Sequence, residues 1–184
     1  RQRQMCIRDS TWFDRYAFPD ESRFNDIAYA EQAYTRFAKS LLATPTTRLC
    51  AYATTSREAT EILMKVLARY GFAGYVGKVN MDRNSLPGLL ETTRETIAQT
   101  RLWLEETKNG IGAIYPILTP RYFPSCTESC LQQLGQLAEE YHVPVQSHLS
   151  EGLDEIDWVH ELAPDLDYYA QAYDRAGLLG PHTQ

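Results

Sequence analysis

His148 and Glu151, in the run Pro144-Val145-Gln146-Ser147-His148-Leu149-Ser150-Glu151, are the residues best equipped for chemistry. An imidazole can hold a metal ion through a ring nitrogen, and a carboxyl can carry a proton to and from a reacting atom. The pattern H-x-x-E is unspecific by itself, and a histidine at a strand end is more often a hydrogen-bonded structural group. Its place in the chain raises its weight. Val143 to His148 reads as a strand, so His148 stands at a carboxyl end, where barrel and open α/β enzymes keep their sites. Glu151 can swing back over the same mouth; its ordinary alternative is an acidic residue opening a helix, where the dipole favours negative charge. Arg121, at the end of the preceding strand, lies between Pro120 and the pair Tyr122-Phe123. A guanidinium beside aromatic rings can grip a planar polar ring while a ring covers its face; the alternative is a surface arginine paired with an acid.

The remaining histidines do not join His148. His142 lies in a helix-to-strand turn, His160 on an exposed part of a helix, and His182 near the end of the chain. A zinc site takes about three or four donors, and this chain visibly supplies one. Cys6, Cys50, Cys126 and Cys130 are too few and too irregularly spaced for a disulfide scaffold. Cys126 and Cys130 lack the two-residue gap of a zinc knuckle and read as small helix-packing residues.

The elements that would position these groups alternate. An aromatic-rich segment from Trp12 to Pro19 ends in a Pro-Asp-Glu-Ser turn, and Ala28 to Leu42 reads as a helix with Ala30, Ala33, Tyr34, Phe37 and Leu41 on one side. Leu49 to Ala53 reads as a buried strand. Thr55-x-x-Glu58 has the capping-box pattern opening a helix whose apolar face is Ala59, Ile62, Leu63, Val66 and Leu67, closed by Gly71. A strand from Gly74 to Met81 precedes a polar loop and a helix from about Leu89 to Glu106, with Leu90, Ile97 and Leu104 at heptad spacing. A strand from Ile111 to Leu118 leads into an extended loop, Thr119 to Ser125, whose prolines oppose helix. Ser125-x-x-Glu128 then caps a helix carrying Leu131, Leu134 and Leu137. After the strand Val143 to His148 come two short helices, Ile156 to Leu162 and Tyr168 to Ala176, with Tyr168, Tyr169 and Tyr173 read as packing residues.

Strands separated by helices pair in parallel, so the fold class is α/β, with about four parallel strands. Four such units fit either a doubly wound sheet or part of a (β/α)8 barrel, which needs about 250 residues when whole. Composition restricts the partners. The net charge is −6, and because Arg1, Arg3 and Arg8 outweigh Asp9 in the first ten residues, the remainder stands at −8. That balance opposes nucleic-acid binding. No apolar run approaches the roughly 20 residues of a membrane span, and there is no signal-peptide pattern, so the chain reads as cytoplasmic. Residues 1–10, polar and without periodicity, read as a non-native leader, and residues 11–184 as a fragment of a longer barrel domain.

Several strings together carry a resemblance: Tyr16-Ala-Phe-Pro-Asp-Glu-Ser-Arg-Phe24, Val76-Gly-Lys-Val-Asn-Met-Asp-Arg-Asn84, Pro116-Ile-Leu-Thr-Pro-Arg-Tyr122, Ser125-Cys-Thr127, Val145-Gln-Ser-His-Leu-Ser-Glu151 and Tyr173-Asp-Arg-Ala-Gly-Leu-Leu179. In this order they resemble the guanine deaminases of the amidohydrolase superfamily, from about Trp12 onward. The resemblance implies a (β/α)8 barrel with one Zn2+ at its carboxyl mouth, hydrolysing guanine to xanthine and ammonia, commonly as a homodimer. It implies His148 as a zinc ligand that also lines the substrate site, Glu151 as the proton shuttle, and Arg121 and Tyr122 as purine contacts, with Tyr122 where members usually have Phe. Ser56 stands where many members place His. The H-x-H pair, a second substrate-contacting His and the ligand-and-base Asp of the family are absent from this sequence, which implies an inert fragment. Two alternatives stay open: an amidohydrolase acting on another heteroaromatic amine or chloride, and a non-catalytic α/β module in which Arg121 and the aromatics hold a planar ligand.

Overall fold

The computed structural model describes residues 13–181 and 183; the expected non-native leader at residues 1–10, Cys6, Trp12 and His182 lie outside the described residues. After a short helical turn at Phe18–Ser22, α1 spans Ile27–Leu42, β1 Arg48–Tyr52, α2 Arg57–Arg69, β2 Ala73–Gly77 and β3 Val79–Asn80. Then follow α3 (Thr93–Thr107), β4 (Ile114–Pro116), β5 (Thr119–Pro120), α4 (Glu128–Tyr141), α5 (Leu153–Leu162) and α6 (Gln171–Arg175).

Among the described residues the named strands pair in parallel and follow chain order. β1 pairs with β2 and β2 with β4, while β3 pairs with β5 beyond them. Val145 then bridges Leu118 on one side and Thr183 on the other. A doubly wound sheet reverses its strand order at a switch point. Here the order advances through five positions without a reversal, which is how an arc of a (β/α)8 barrel is laid down.

Two expected strands are less regular than their sequences suggest. Lys78 separates β2 from β3 with its ammonium fully buried, and Nζ lies 2.7 Å from Glu91 Oε2. The strand expected at Val143 to His148 is regular only at Val145, although Leu118 N donates to Pro144 O at 2.9 Å and Gln146 N to Leu118 O at 2.9 Å. Gly77 lets the neighbouring strands close in: a Cβ there would lie 1.7 Å from Thr119 Oγ1 and 2.6 Å from Ile117 O.

Helix starts follow side-chain caps, in places shifted from the sequence pattern. Ser56, not Thr55, caps α2 by accepting from Ala59 N, which gives the position its structural role. Thr127, not Ser125, caps α4, because Ser125 is drawn into a 3-10 turn and donates to Tyr122 O. The reciprocal Thr92–Glu95 box starts α3 at Thr93, so Leu90 falls in the preceding loop, exposed, and the heptad reading of that helix loses its first member. His142, in the left-handed region at φ 53°, ends α4. The helices bury Leu63, Val66 and Leu67 on α2 and Leu131, Leu134 and Leu137 on α4 as expected, around Trp103, Leu104 and Leu118; on α1 Ala30 and Tyr34 are buried as expected, whereas Ala38 takes the inner place and Phe37 is exposed. Cys126 and Cys130 are fully buried, as expected of packing residues.

Candidate functional site

Two of the groups singled out for chemistry, Arg121 and His148, meet beyond the carboxyl ends of the strands. Arg121 directly follows β5, and its backbone carbonyl is the anchor: it accepts from His148 N at 3.2 Å and bonds His148 Nδ1 at 2.7 Å. A carbonyl can only accept, so Nδ1 carries the hydrogen of the neutral ring and the lone pair is left on Nε2. That is how metal-binding histidines are commonly held, with the second ring nitrogen fixed by an outer partner. The imidazole therefore suits zinc as one ligand. Among the described residues no group of three or more His, Cys, Asp and Glu could hold a metal ion, so the other donors are not supplied there.

Two tyrosines that sequence reasoning did not assign to the site hold His148. The Tyr52 ring, at the end of β1, lies with its centroid 4.6 Å from that of the imidazole. Tyr173 on α6 donates its hydroxyl to His148 O at 2.8 Å and accepts from Ser147 Oγ at 3.0 Å. The single Ser147 hydroxyl hydrogen is shared with Pro120 O at 2.8 Å, closing a small network between the two segments. Burial pushes the Tyr173 phenol up to about 12. The Tyr52 phenol is also raised, first by burial and then by Tyr173 and Cys50; Glu151 adds to the rise and Arg121 opposes it. Tyr52 could have been found from its position at a strand's carboxyl end, whereas Tyr173, though it opens one of the resemblance strings, was read as a packing residue.

Arg121 is not held as its neighbours in sequence suggest. Its Nη1 lies 2.7 Å from Glu21 Oε2 and 3.8 Å from Met81 Sδ, and the ring beside its guanidinium is Phe18, 4.9 Å away, rather than Phe123. Phe123 is turned inward against Tyr169 and under the Arg83 guanidinium. The half-buried Tyr122 sets its ring edge-on to Trp158 of α5 at 6.3 Å. Glu151 is exposed and follows Ser150, whose φ of 55° turns the chain just before it. His142 and His160 are exposed and apart from this cluster.

The string from Val76 to Asn84 helps to position Arg121. Asp82 Oδ1 accepts from Thr127 N and its Oδ2 from Thr127 Oγ1 and Thr93 Oγ1, each at 2.6 Å, tying the starts of α3 and α4 together. Arg83 donates to Phe123 O and Asn84 to Pro124 O, both at 2.8 Å. Asn80 donates to Thr96 and Thr100, and its carbonyl accepts from Arg121 N at 3.2 Å. These polar residues therefore clamp the loop that carries Arg121.

The model of the amidohydrolase family matches residues 7–183. The chain belongs to the amidohydrolase family. It is 39% identical over 173 residues to the guanine deaminase of Dictyostelium discoideum, a match covering 94% of this chain and 38% of that protein. Among solved structures, guanine deaminase from C. acetobutylicum with guanine bound in its active site superposes with a TM-score of 0.91 at 38% identity, over 94% of this chain and 42% of that one. An adenosine deaminase from Xanthomonas campestris with bound zinc shares the fold, with a TM-score of 0.75 at 16% identity over 94% of this chain and 37% of that one. The chain thus spans about two fifths of the length of these amidohydrolases.

Proposed function

We propose that this chain supplies three working parts of a zinc-dependent guanine deaminase: His148 as a zinc ligand, Glu151 as the proton carrier, and Arg121 with Tyr122 at the purine. The observation that carries the reading is the bond between His148 Nδ1 and the Arg121 carbonyl at 2.7 Å, which couples the metal-binding tautomer to the residue that would meet the base. Its support from outside the chain is the likeness to a guanine deaminase holding guanine.

Zinc, when bound, lowers the pKa of a water molecule to about 7 and so makes a nucleophile available at neutral pH. His148 would hold it through Nε2. Glu151, on the turn at Ser150, would take one proton from the attacking water and pass it to a ring nitrogen as the water oxygen bonds to the amine-bearing carbon, and would then carry the proton of the new hydroxyl to the amine, whose carbon–nitrogen bond breaks to release ammonia. A carboxyl can do this only within hydrogen-bond reach, and an exposed position on a turn lets it approach. Arg121 orients the ring by donating to its polar edge. The net charge of −6 suits a small neutral substrate rather than nucleic acid. Among the described residues no helix is long and apolar enough to cross a membrane, and Cys50, Cys126 and Cys130 are unpaired thiols, which suits the reducing cytoplasm.

The test is turnover of guanine, adenine, cytosine and a chlorotriazine by the complete polypeptide carrying these residues. Guanine should be preferred, with xanthine as product, and Glu151→Gln should lower kcat by roughly a hundredfold or more. Preference for another member of that panel would replace guanine as substrate, and full activity in Glu151→Gln would remove the carboxyl from its role.

A further inference from the structure

Glu21 reaches Arg121 from a hundred residues away in sequence, and the pair is well shielded. Nη1 and Oε2 are 2.7 Å apart, and the two side chains are only 15% and 14% exposed. Phe18, one turn before Glu21, covers the guanidinium at 4.9 Å. The second carboxylate oxygen, Oε1, is buried and takes no hydrogen bond among the described residues, so Glu21 relies on Arg121 for its compensation. We infer that Glu21 is a positioning and specificity-determining residue, which presents Arg121 to the site as half of a neutral pair and so selects uncharged heteroaromatic ligands over anionic ones. The inference rests on the reading of Arg121 as the purine contact.

The physical reason lies in how the two interactions scale with distance. An unpaired guanidinium attracts any anion over several ångströms, and in a shielded site that attraction is large. With a carboxylate in contact, an approaching anion is repelled by Glu21 nearly as strongly as it is attracted by Arg121. Hydrogen bonds to a neutral carbonyl or ring nitrogen act at contact range and survive the pairing. A ring such as guanine is therefore admitted, while purine anions and carboxylates are turned away. Deamination replaces an amine with a more acidic lactam, so the same pair disfavours retention of the product once it ionises.

Two measurements test this. In the complete polypeptide, affinity is measured for hypoxanthine, which is neutral at neutral pH, and for urate, which is an anion there. Glu21→Gln should shift the urate-to-hypoxanthine preference toward urate by roughly tenfold. It should also raise the KM for guanine more than it lowers kcat, and Glu21→Asp should restore part of both. A purely structural tether would weaken both ligands alike, and that result would overturn the inference. In the 184-residue chain itself, modification of Arg121 is followed by mass spectrometry with neutral phenylglyoxal and anionic 4-carboxyphenylglyoxal. Glu21→Gln should raise the anionic-to-neutral rate ratio severalfold, and an unchanged ratio would overturn charge selection. If that ratio rises but the complete polypeptide leaves guanine untouched, the purine reading fails and charge selection stands. If guanine is deaminated and neither preference moves, charge selection fails and the purine reading stands.

Discussion

Replacing Tyr173 by Phe removes one oxygen that ties α6 to the strand end bearing His148. That oxygen makes two hydrogen bonds, to His148 O at 2.8 Å and from Ser147 Oγ at 3.0 Å. Each contributes about 1 kcal/mol net. Ser147 and His148 are half-buried, so water recovers part of the loss, and the expected destabilisation is about 1–2 kcal/mol. In a chain of this size that lowers Tm by roughly 3–6 °C. The assay is urea unfolding of the chain followed by tryptophan fluorescence, for Tyr173→Phe, Ser147→Ala and the double variant. Because the two hydroxyls share a bond, the single losses should exceed the double loss by about 0.5 kcal/mol or more. In the complete polypeptide the freed His148 backbone should also weaken zinc binding by roughly tenfold. A Tyr173→Phe chain as stable as the wild type, or losses that simply add, would refute the idea that Tyr173 anchors His148.

Glu91→Gln leaves the buried Lys78 ammonium without its carboxylate partner and should cost about 3 kcal/mol, read as a lower urea midpoint. Burial already lowers the pKa of Lys78, with Glu91 opposing. The unfolded chain therefore binds more protons between the folded and unfolded values, stability rises with pH across that window, and the Glu91→Gln deficit should shrink toward about pH 9. Gly77→Ala would drive a methyl into Thr119 Oγ1 and Ile117 O and should cost about 2 kcal/mol or more, seen as a lower Tm. The 184-residue chain alone should turn over guanine negligibly, since the described residues hold no ligand cluster; robust xanthine formation would contradict the ligand count.

Much of this was legible in the sequence where local chemistry decides. The apolar faces of α1, α2 and α4 follow the helical period, and Leu49 to Ala53 gave β1 within one residue because a short apolar run between polar turns has few other outcomes. Cap positions were less legible, since Thr55 and Ser56 offer chemically similar hydroxyls and only the backbone geometry chooses between them. Arg121 directly follows a strand as expected, whereas His148 lies three residues beyond the bridge at Val145 rather than at the end of a regular strand. What escaped was the long-range pairing: Glu21 was part of a turn, Tyr173 one aromatic among three, and nothing local ties either to a residue 100 or 25 positions away. The polar residues of Val76 to Asn84 were visible as a specific string, but their role in clamping the Arg121 loop needed the fold to bring Thr93, Thr127 and Phe123 to them.

Whether His148 is a zinc ligand decides the functional reading, and metal content measured alongside guanine turnover in the same preparations settles it. The complete polypeptide should hold one zinc ion per chain and produce xanthine, and His148→Ala should lose both while keeping its fold by circular dichroism. A folded His148→Ala protein that retains zinc and activity would contradict the assignment.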